Sequence, residues 1–449
     1  MKNGRDLSRK RILVLGMADS GLSACRLLLE QKADVTAYDI RSLEDISDIP
    51  PDIKESVRFE CGRLPEEIDI DGYDRIITSP GISPSNSIIK RALSNGIGVI
   101  SELELGVVFL PDVTVVAVTG TNGKTTTCEL IWHIAGGILA GNIGCPLTSK
   151  VSDIKAGSLV ILEVSSYQAV FTPSLIPDVG IVLNLFPEHI DWHGSAEDYY
   201  DAKKSILKNQ SSGNTAIVNY EIENVDEFVS KIESKKIFFS SRRELPEGVF
   251  MRNGNIVSVD RNGLEEIIFR GESISLPGTH NRENLMAVAA CWKALGNKAS
   301  PDISGFKLGK HRLEKFAVKK GVTFINDSKA TNMDSTLRAL ESIPGPIILL
   351  MGGRSKHQKH PDIRKIIKEK VSLVIAFGES RDEITAICDG IVPLYECKSF
   401  KEAVVAALKK ASAGDTVLLS PGGSSFDEFN NYCERGDKFK IWIEELAGS

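Results

Sequence analysis

The stretch Val113–Thr127, VTVVAVTGTNGKTTT, runs from a β-branched apolar segment through a glycine-bearing turn to a lysine and three threonines. β-branched residues favour a strand, and the residues after the turn open a helical pattern. Gly120 and Gly123 allow a tight turn that aims backbone N–H groups at one point, with Thr121 and Asn122 between them. The helix that follows adds the positive end of its dipole there. Lys124 is placed to neutralise the β- and γ-phosphates of a nucleotide, and Thr125 to ligate Mg2+. Val118 stands where the strict phosphate-loop pattern has its first glycine, so the glycine spacing is shorter than the generic one. Strand, glycine turn and helix in this order predict nucleotide binding. A Gly-Lys-Thr outside such a frame would be an ordinary turn.

Outward from this loop, the chain falls into three strand-and-helix regions, 1–102, 103–308 and 309–449. In the first, Arg11–Leu15 suits a buried strand, Gly21–Glu30 a helix and Asp34–Tyr38 a second strand, while DRIITSPGISP breaks into a turn at Pro80-Gly81. The second continues through SLVILEVSS and DVGIVLNL. The third holds GVTFINDSKATN, PIILLMGG, SLVIAFGES and DTVLLSPGGSS, with a helical pattern over Phe400–Ala411. Short apolar runs that stop at polar or glycine-rich loops are the mark of parallel sheets whose ligands sit at the carboxyl ends of the strands.

A length of 449 residues suits two to four domains, and 42% hydrophobic with 25% charged residues suits a folded, soluble chain. A formal charge of −6 offers no cationic field for nucleic acid or a membrane surface. The eight cysteines are scattered without a CxxC pair, as expected of reduced thiols in a cytoplasm. No apolar run reaches membrane-spanning length, and the basic start lacks the apolar core of a signal peptide. A cytoplasmic monomer is expected.

Downstream of the loop come GNIG (Gly141–Gly144), LEVSSYQ (Leu162–Gln168), NLFPEHIDWH (Asn184–His193), YYDAKKSI (Tyr199–Ile206), LPGTHNREN (Leu276–Asn284), HRLE (His311–Glu314) and NDSKATN (Asn326–Asn332). In this order they resemble the Mur ligase family, which also includes folylpolyglutamate synthetase. The resemblance implies a three-domain α/β protein: a Rossmann-like N-terminal domain, a central P-loop-type ATPase domain with a mostly parallel sheet, and a Rossmann-like C-terminal domain. It implies an ATP-dependent ligase that activates a carboxylate as an acyl phosphate and uses two Mg2+ sites. Gly120, Thr121, Asn122, Gly123, Lys124, Thr125, Thr126, Asn281, Asn284, Arg312, Asp327 and Lys329 would then bind ATP. Glu163 would join Thr125 on one Mg2+, as a hard oxygen ligand. His189 and a carbamoylated Lys203 would hold the other, with Glu188 standing alone where the family has an acidic pair. Lys124, His189, Lys203 and Arg312 would be the catalytic set. By composition alone Lys203 would be a solvated helix lysine; its spacing from Tyr199 selects it over Lys204.

The two ends narrow the substrate. LGMADSG is a weak dinucleotide fingerprint, because Ala18 replaces the glycine that admits the pyrophosphate. With DIR and TSPGI it resembles the uridine-diphosphate domain of the family's D-glutamate-adding member. Ser20, Gly21, Asp39, Arg41, Ser79 and Gly81 would hold the nucleotide of UDP-N-acetylmuramoyl-L-alanine, with Asn142, Ser165 and Gln168 on the same substrate. MGGRSK and LLSPGGSSFDEFNNYCERG resemble the same member's C-terminal loops. They imply a D-glutamate site of Thr331, Lys356, Ser425, Phe426 and Tyr432. The rival expectations are a sister ligase adding another amino acid, a P-loop hydrolase or switch, and a dehydrogenase resting on LGMADSG.

Overall fold

In the computed structural model, residues 6–46, 49–274, 276, 278–355 and 361–446 are described. The expected strand Arg11–Leu15 (β1) lies between β2 (Asp34–Tyr38) and β4 (Arg75–Thr78), and β3 (Arg58–Phe59) and β5 (Gly98–Ser101) form the edges. All four pairings are parallel, in the order β3-β2-β1-β4-β5. Ile12 to Leu15 are buried because helices cover both faces, which is why the segment reads as an unbroken apolar run. The first helix spans Asp19–Glu30, starting two residues before the sequence pattern suggests. Gly21 sits in its first turn, where a Cβ would lie 1.8 Å from the Gly16 carbonyl oxygen, so only glycine permits this strand-to-helix approach.

The central sheet orders nine strands as β14-β13-β12-β11-β10-β9-β6-β8-β7. These are β6 (Thr114–Thr119), β7 (Ile138–Gly141), β8 (Leu159–Glu163), β9 (Val179–Val182), β10 (Thr215–Asn219), β11 (Lys235–Ser240), β12 (Gly248–Arg252), β13 (Asn255–Val259) and β14 (Glu265–Phe269). From β7 to β12 every pairing is parallel, and β12–β13–β14 closes one edge as an antiparallel meander. Val116 to Val118 and Val160 to Leu162 are fully buried at the centre. Each large apolar side chain among them contributes about 1.5–3 kcal/mol by leaving water.

The third sheet contains β15 (Glu314–Lys319), β16 (Val322–Asn326), β17 (Ile347–Gly352), β18 (Val371–Phe377), β19 (Leu394–Glu396) and β20 (Thr416–Gly422). Its order is β15-β16-β20-β17-β18-β19, parallel except for the β15–β16 hairpin. The helix expected over Phe400–Ala411 spans Phe400–Lys410.

The described residues form two compact units, one from 1–274 with 283–304, the other from 275–282 with 305–449. The first unit carries two sheets joined through the helix Glu102–Phe109. Its buried Glu102 accepts from the Thr148 amide and hydroxyl, both at 2.8 Å, and burial raises its pKa. Thr148 and Ser23 pair at 2.6 Å, and Ser101 and Thr172 at 2.7 Å. Phe171 of the central region completes the first region's core.

Candidate active site

The loop Gly120–Gly123 leaves β6 and leads into the helix Lys124–Ala135. Gly123 has φ +86°, and a Cβ there would sit 2.3 Å from Asn284 Oδ1, so its position needs both the left-handed backbone and the missing side chain. The loop is tied down from its neighbours. Asn184 Oδ1 accepts from the Asn122 amide at 2.8 Å and its Nδ2 donates to the Asn122 carbonyl at 3.1 Å. Thr121 Oγ1 pairs with the Tyr199 hydroxyl at 2.9 Å and takes the Phe186 amide at 2.9 Å. Lys124 Nζ folds over the loop, donating to the Gly120 and Thr121 carbonyls at 2.8 and 2.9 Å.

Lys203 is not a solvated helix lysine. It is 2% exposed and donates to the same Gly120 carbonyl, also at 2.8 Å. Burial, and then the charge of Lys124, hold its pKa well below the ordinary lysine value. Tyr199 lends its ring face at 4.6 Å. Glu163, at the end of β8, is 2% exposed; its Oε1 accepts from Asn142 Nδ2 at 2.8 Å, while Oε2 is buried without a hydrogen-bond partner. An orphaned, buried carboxylate oxygen is a donor of the kind Mg2+ takes, so the chemistry of Glu163 fits a cation ligand. Among the described residues no group of three or more His, Cys, Asp and Glu forms a ready metal cluster.

His189 has φ +57° and lies 3.6 Å from the buried Glu188 carboxylate. A cluster of aromatic residues surrounds it: Tyr167 at 4.9 Å between ring centroids, Tyr199 at 6.4 Å. His193, which ends the NLFPEHIDWH motif and has no role assigned from the sequence, hydrogen-bonds Ser166 Oγ at 3.0 Å, and burial with the charge of Lys203 pushes its pKa down to about 4.

In the first region Asp39 is saturated. Its oxygens take the Met17 and Arg41 amides and two bonds from the Arg41 guanidinium, all within 2.8–3.0 Å. Burial raises its pKa, and the Arg41 and Met17 bonds outweigh that and lower it. Its carboxylate therefore shapes the loop after β1 rather than standing free. Ser79 Oγ donates to the Gly16 carbonyl at 3.2 Å, Ser20 lies in the first helical turn, and Gly81 is exposed. Ser165 and Gln168 close a reciprocal cap on the helix Ser166–Val170, which occupies both side chains.

In the second unit, Asp327 is buried and accepts from the Leu313 amide at 3.1 Å and Ser420 Oγ at 2.9 Å. Burial raises its pKa to about 7. Lys329 Nζ lies 3.9 Å over the Tyr432 ring, so Tyr432 is engaged by a cation here. Ser425 is buried and Phe426 is 61% exposed. Arg435, fully buried, donates to Ser328 Oγ and carbonyl and to the Gly423 carbonyl, joining the NDSKATN loop to the glycine-rich loop after β20. Asn281 is buried, as is Asn284 in the first unit; Arg312 follows a His311 with φ +64°, and Thr331 donates its amide to the Lys329 carbonyl. Lys356 lies outside the described residues.

The Asp327 carboxyl yields a stability prediction. Between the unfolded value of 3.8 and about 7 the folded state holds the extra proton, so its contribution falls as pH rises through that window and is flat above it. Asp327→Asn should remove a slope of up to about 1.4 kcal/mol per pH unit, read as the difference between the two proteins' denaturation curves from pH 4 to 8.

A phosphate-gripping loop in a mostly parallel sheet, on a chain that carries two further α/β sheets, defines a three-domain nucleotide-binding protein. Family models match along the chain: Mur ligase MurD-like, N-terminal domain over residues 10–101, Mur ligase middle domain over 118–292, and Mur ligase, glutamate ligase domain over 311–423. The chain belongs to the Mur ligase family and is an ATP-dependent ligase. It is 37% identical to the UDP-N-acetylmuramoylalanine--D-glutamate ligase of Pelotomaculum thermopropionicum, over 98% of this chain and 99% of that one. It is 35% identical to the enzyme of that name from Geobacillus kaustophilus, over 99% and 100%. In fold it is similar to MurF from Acinetobacter baumannii, with a TM-score of 0.61, 16% identity and 100% and 92% coverage. It is also similar to a pseudomurein peptide ligase type C from Methanothermus fervidus, with a TM-score of 0.59, 19% identity and 97% and 100% coverage.

Proposed function

We propose that this protein joins the carboxyl group of UDP-N-acetylmuramoyl-L-alanine to the amino group of D-glutamate, with ATP cleaved to ADP and phosphate. A carboxylate does not accept an amine near neutrality, because oxide is a very poor leaving group. Its attack on the γ-phosphate gives an acyl phosphate; the amine then attacks the carbonyl, and phosphate leaves as the amide forms. No enzyme nucleophile is required, so positioning and charge neutralisation carry the rate.

The observation that carries this reading is the convergence of Lys124 and Lys203 on one carbonyl, that of Gly120. Two anions must meet here, and in a dried cleft unit charges ~4 Å apart repel by about 4 kcal/mol at an effective dielectric constant near 20. Lys124 offsets the phosphate charge and Asn142 orients the first substrate. Thr125 and Glu163, and His189 with a carbamoylated Lys203, would hold Mg2+, which would supply the remaining positive charge. The neutral amine favoured at Lys203 is the form that adds carbon dioxide, with loss of one proton, to give the carbamate. Asn281, Asn284, Asp327, Lys329 and Arg312 serve ATP. The uridine nucleotide of the first substrate falls to segment 1–102, the phosphates of ATP to 103–308 and D-glutamate to 309–449, with Thr331, Lys356, Ser425, Phe426 and Tyr432 around the incoming carboxylates. The full-length likeness to ligases with this name supports the substrate assignment. Among the described residues no helix is long and apolar enough to cross a membrane. We place the enzyme, as a monomer, in the cytoplasm, where its nucleotide substrates are made.

The expected result is phosphate release from ATP that needs both UDP-N-acetylmuramoyl-L-alanine and D-glutamate. Turnover without D-glutamate, or equal turnover with L-alanine or a diamino acid in its place, would overturn the substrate assignment.

A further inference from the structure

We propose that His193 is a positioning residue that holds His189 in the geometry a cation needs. This rests on the cation role given to His189 above. His189 adopts a left-handed backbone, φ +57°, that few non-glycine residues adopt unless their surroundings hold them there. The helix that follows, Ile190–His193, has four residues and is too short to stand by itself. Its amides at Trp192 and His193 donate back to the His189 carbonyl at 3.1 and 3.0 Å, so whatever fixes His193 fixes the turn.

His193 is fixed on two sides. Its Nε2 meets Ser166 Oγ at 3.0 Å, and its ring lies 5.7 Å from that of Tyr167, 10° from parallel. On the other side Tyr199 meets it edge-on at 5.4 Å. Ser166 and Tyr167 belong to the helix that starts three residues after Glu163, and Tyr199 to the helix that carries Lys203. His193 thus joins the two elements that bear the other cation-side groups. Ser83 of the first region touches the same turn, donating to the Trp192 carbonyl at 3.4 Å. The Ser166 hydroxyl and the His193 ring act on His189 through the backbone of the turn, and loss of groups that orient a ligand costs metal sites about 10–100-fold in affinity.

The test is Mn2+ binding, followed by electron paramagnetic resonance on the nucleotide-free full chain in bicarbonate buffer. The relevant site is the one that His189→Ala removes. His193→Phe, which keeps the ring and loses Nε2, and Ser166→Ala, which loses the partner, should each weaken that site about tenfold. The double variant should be no weaker than either single one, because both remove the same contact. Unchanged Mn2+ affinity in the two single variants, or losses that multiply in the double, would overturn the proposal. Should His193→Phe fail to fold, Ser166→Ala alone decides the matter. The expected Mn2+ pattern in a protein that does not use D-glutamate would sustain the positioning role and remove only the substrate assignment.

Discussion

Replacing Lys124 with alanine is expected to lower kcat by about 10³-fold while the protein stays folded. The ammonium lies against the Gly120 and Thr121 carbonyls, at 2.8 and 2.9 Å, inside the turn that Gly123 and Asn284 shape. Those carbonyls are weak partners beside a triphosphate, so when nucleotide binds the ammonium exchanges them for charge-assisted bonds. The γ-phosphoryl gains charge as the substrate carboxylate approaches, and the lysine acts most strongly at that point. The expected loss therefore falls on kcat more than on KM for ATP. Folding does not depend on this side chain: Lys124 opens a helix, alanine is the better helix former, and no core contact is lost. Lys124→Arg should not restore the rate, because a planar guanidinium does not reproduce a compact ammonium seated on two carbonyls. Phosphate release and thermal denaturation of both variants check this. A Lys124→Ala enzyme that keeps more than about a tenth of its activity would remove the lysine from the chemistry.

Lys124 is readable in the sequence because its chemistry is local. A β-branched strand, two glycines and a helix start are consecutive, and the geometry follows from neighbours in the chain. β1 and β2 are legible for the same reason, their apolar runs being buried on both faces. Gly21 matches a fingerprint, and its close approach to Gly16 gives that match a packing cause. What the sequence does not carry lies in contacts between distant segments. Asn184 holds Asn122 across 62 positions, and Tyr199 reaches Thr121 across 78. In the sequence Tyr199 serves only to count to Lys203. Ser166 and His193 pair across 27 positions, and although both lie inside motifs that carry the family resemblance, neither is given a role by it. Asp39 is a further lesson: a carboxylate placed after a strand suggests a free ligand group, while the Arg41 two residues on saturates it. The meander β12–β14 also escapes the sequence, because charged residues such as Arg252, Glu265 and Glu266 dilute its strand pattern.

Lys203→Ala should also cost about 10²–10³-fold in kcat, and short carboxylic acids in the buffer should return part of it. Bare, the Lys203 amine is in an unfavourable place: it is buried, a second cation shares the carbonyl it donates to, and both effects drive it toward the neutral form. An unmodified neutral lysine would leave that site with no charge to contribute. A carbamate reverses the situation, since its anionic oxygens stand ready for a cation beside His189 and are favoured by the charge of Lys124. Formate or acetate can occupy the space that alanine vacates and supply a similar carboxylate, whereas chloride at the same ionic strength cannot. Lys203→Arg, which stays cationic, should be as inactive as the alanine variant and should not respond to the acids. The modification itself should be visible in the wild-type enzyme as a carbamate carbon resonance after equilibration with 13C-bicarbonate, and absent from both variants. If acid titration erases that resonance, activity should fall with it, because a protonated carbamate loses carbon dioxide and returns the amine. An enzyme that turns over at full rate in carbon-dioxide-free buffer, with no rescue of Lys203→Ala by formate, would leave Lys203 as a buried structural amine and reassign its cation to His189 and Glu188.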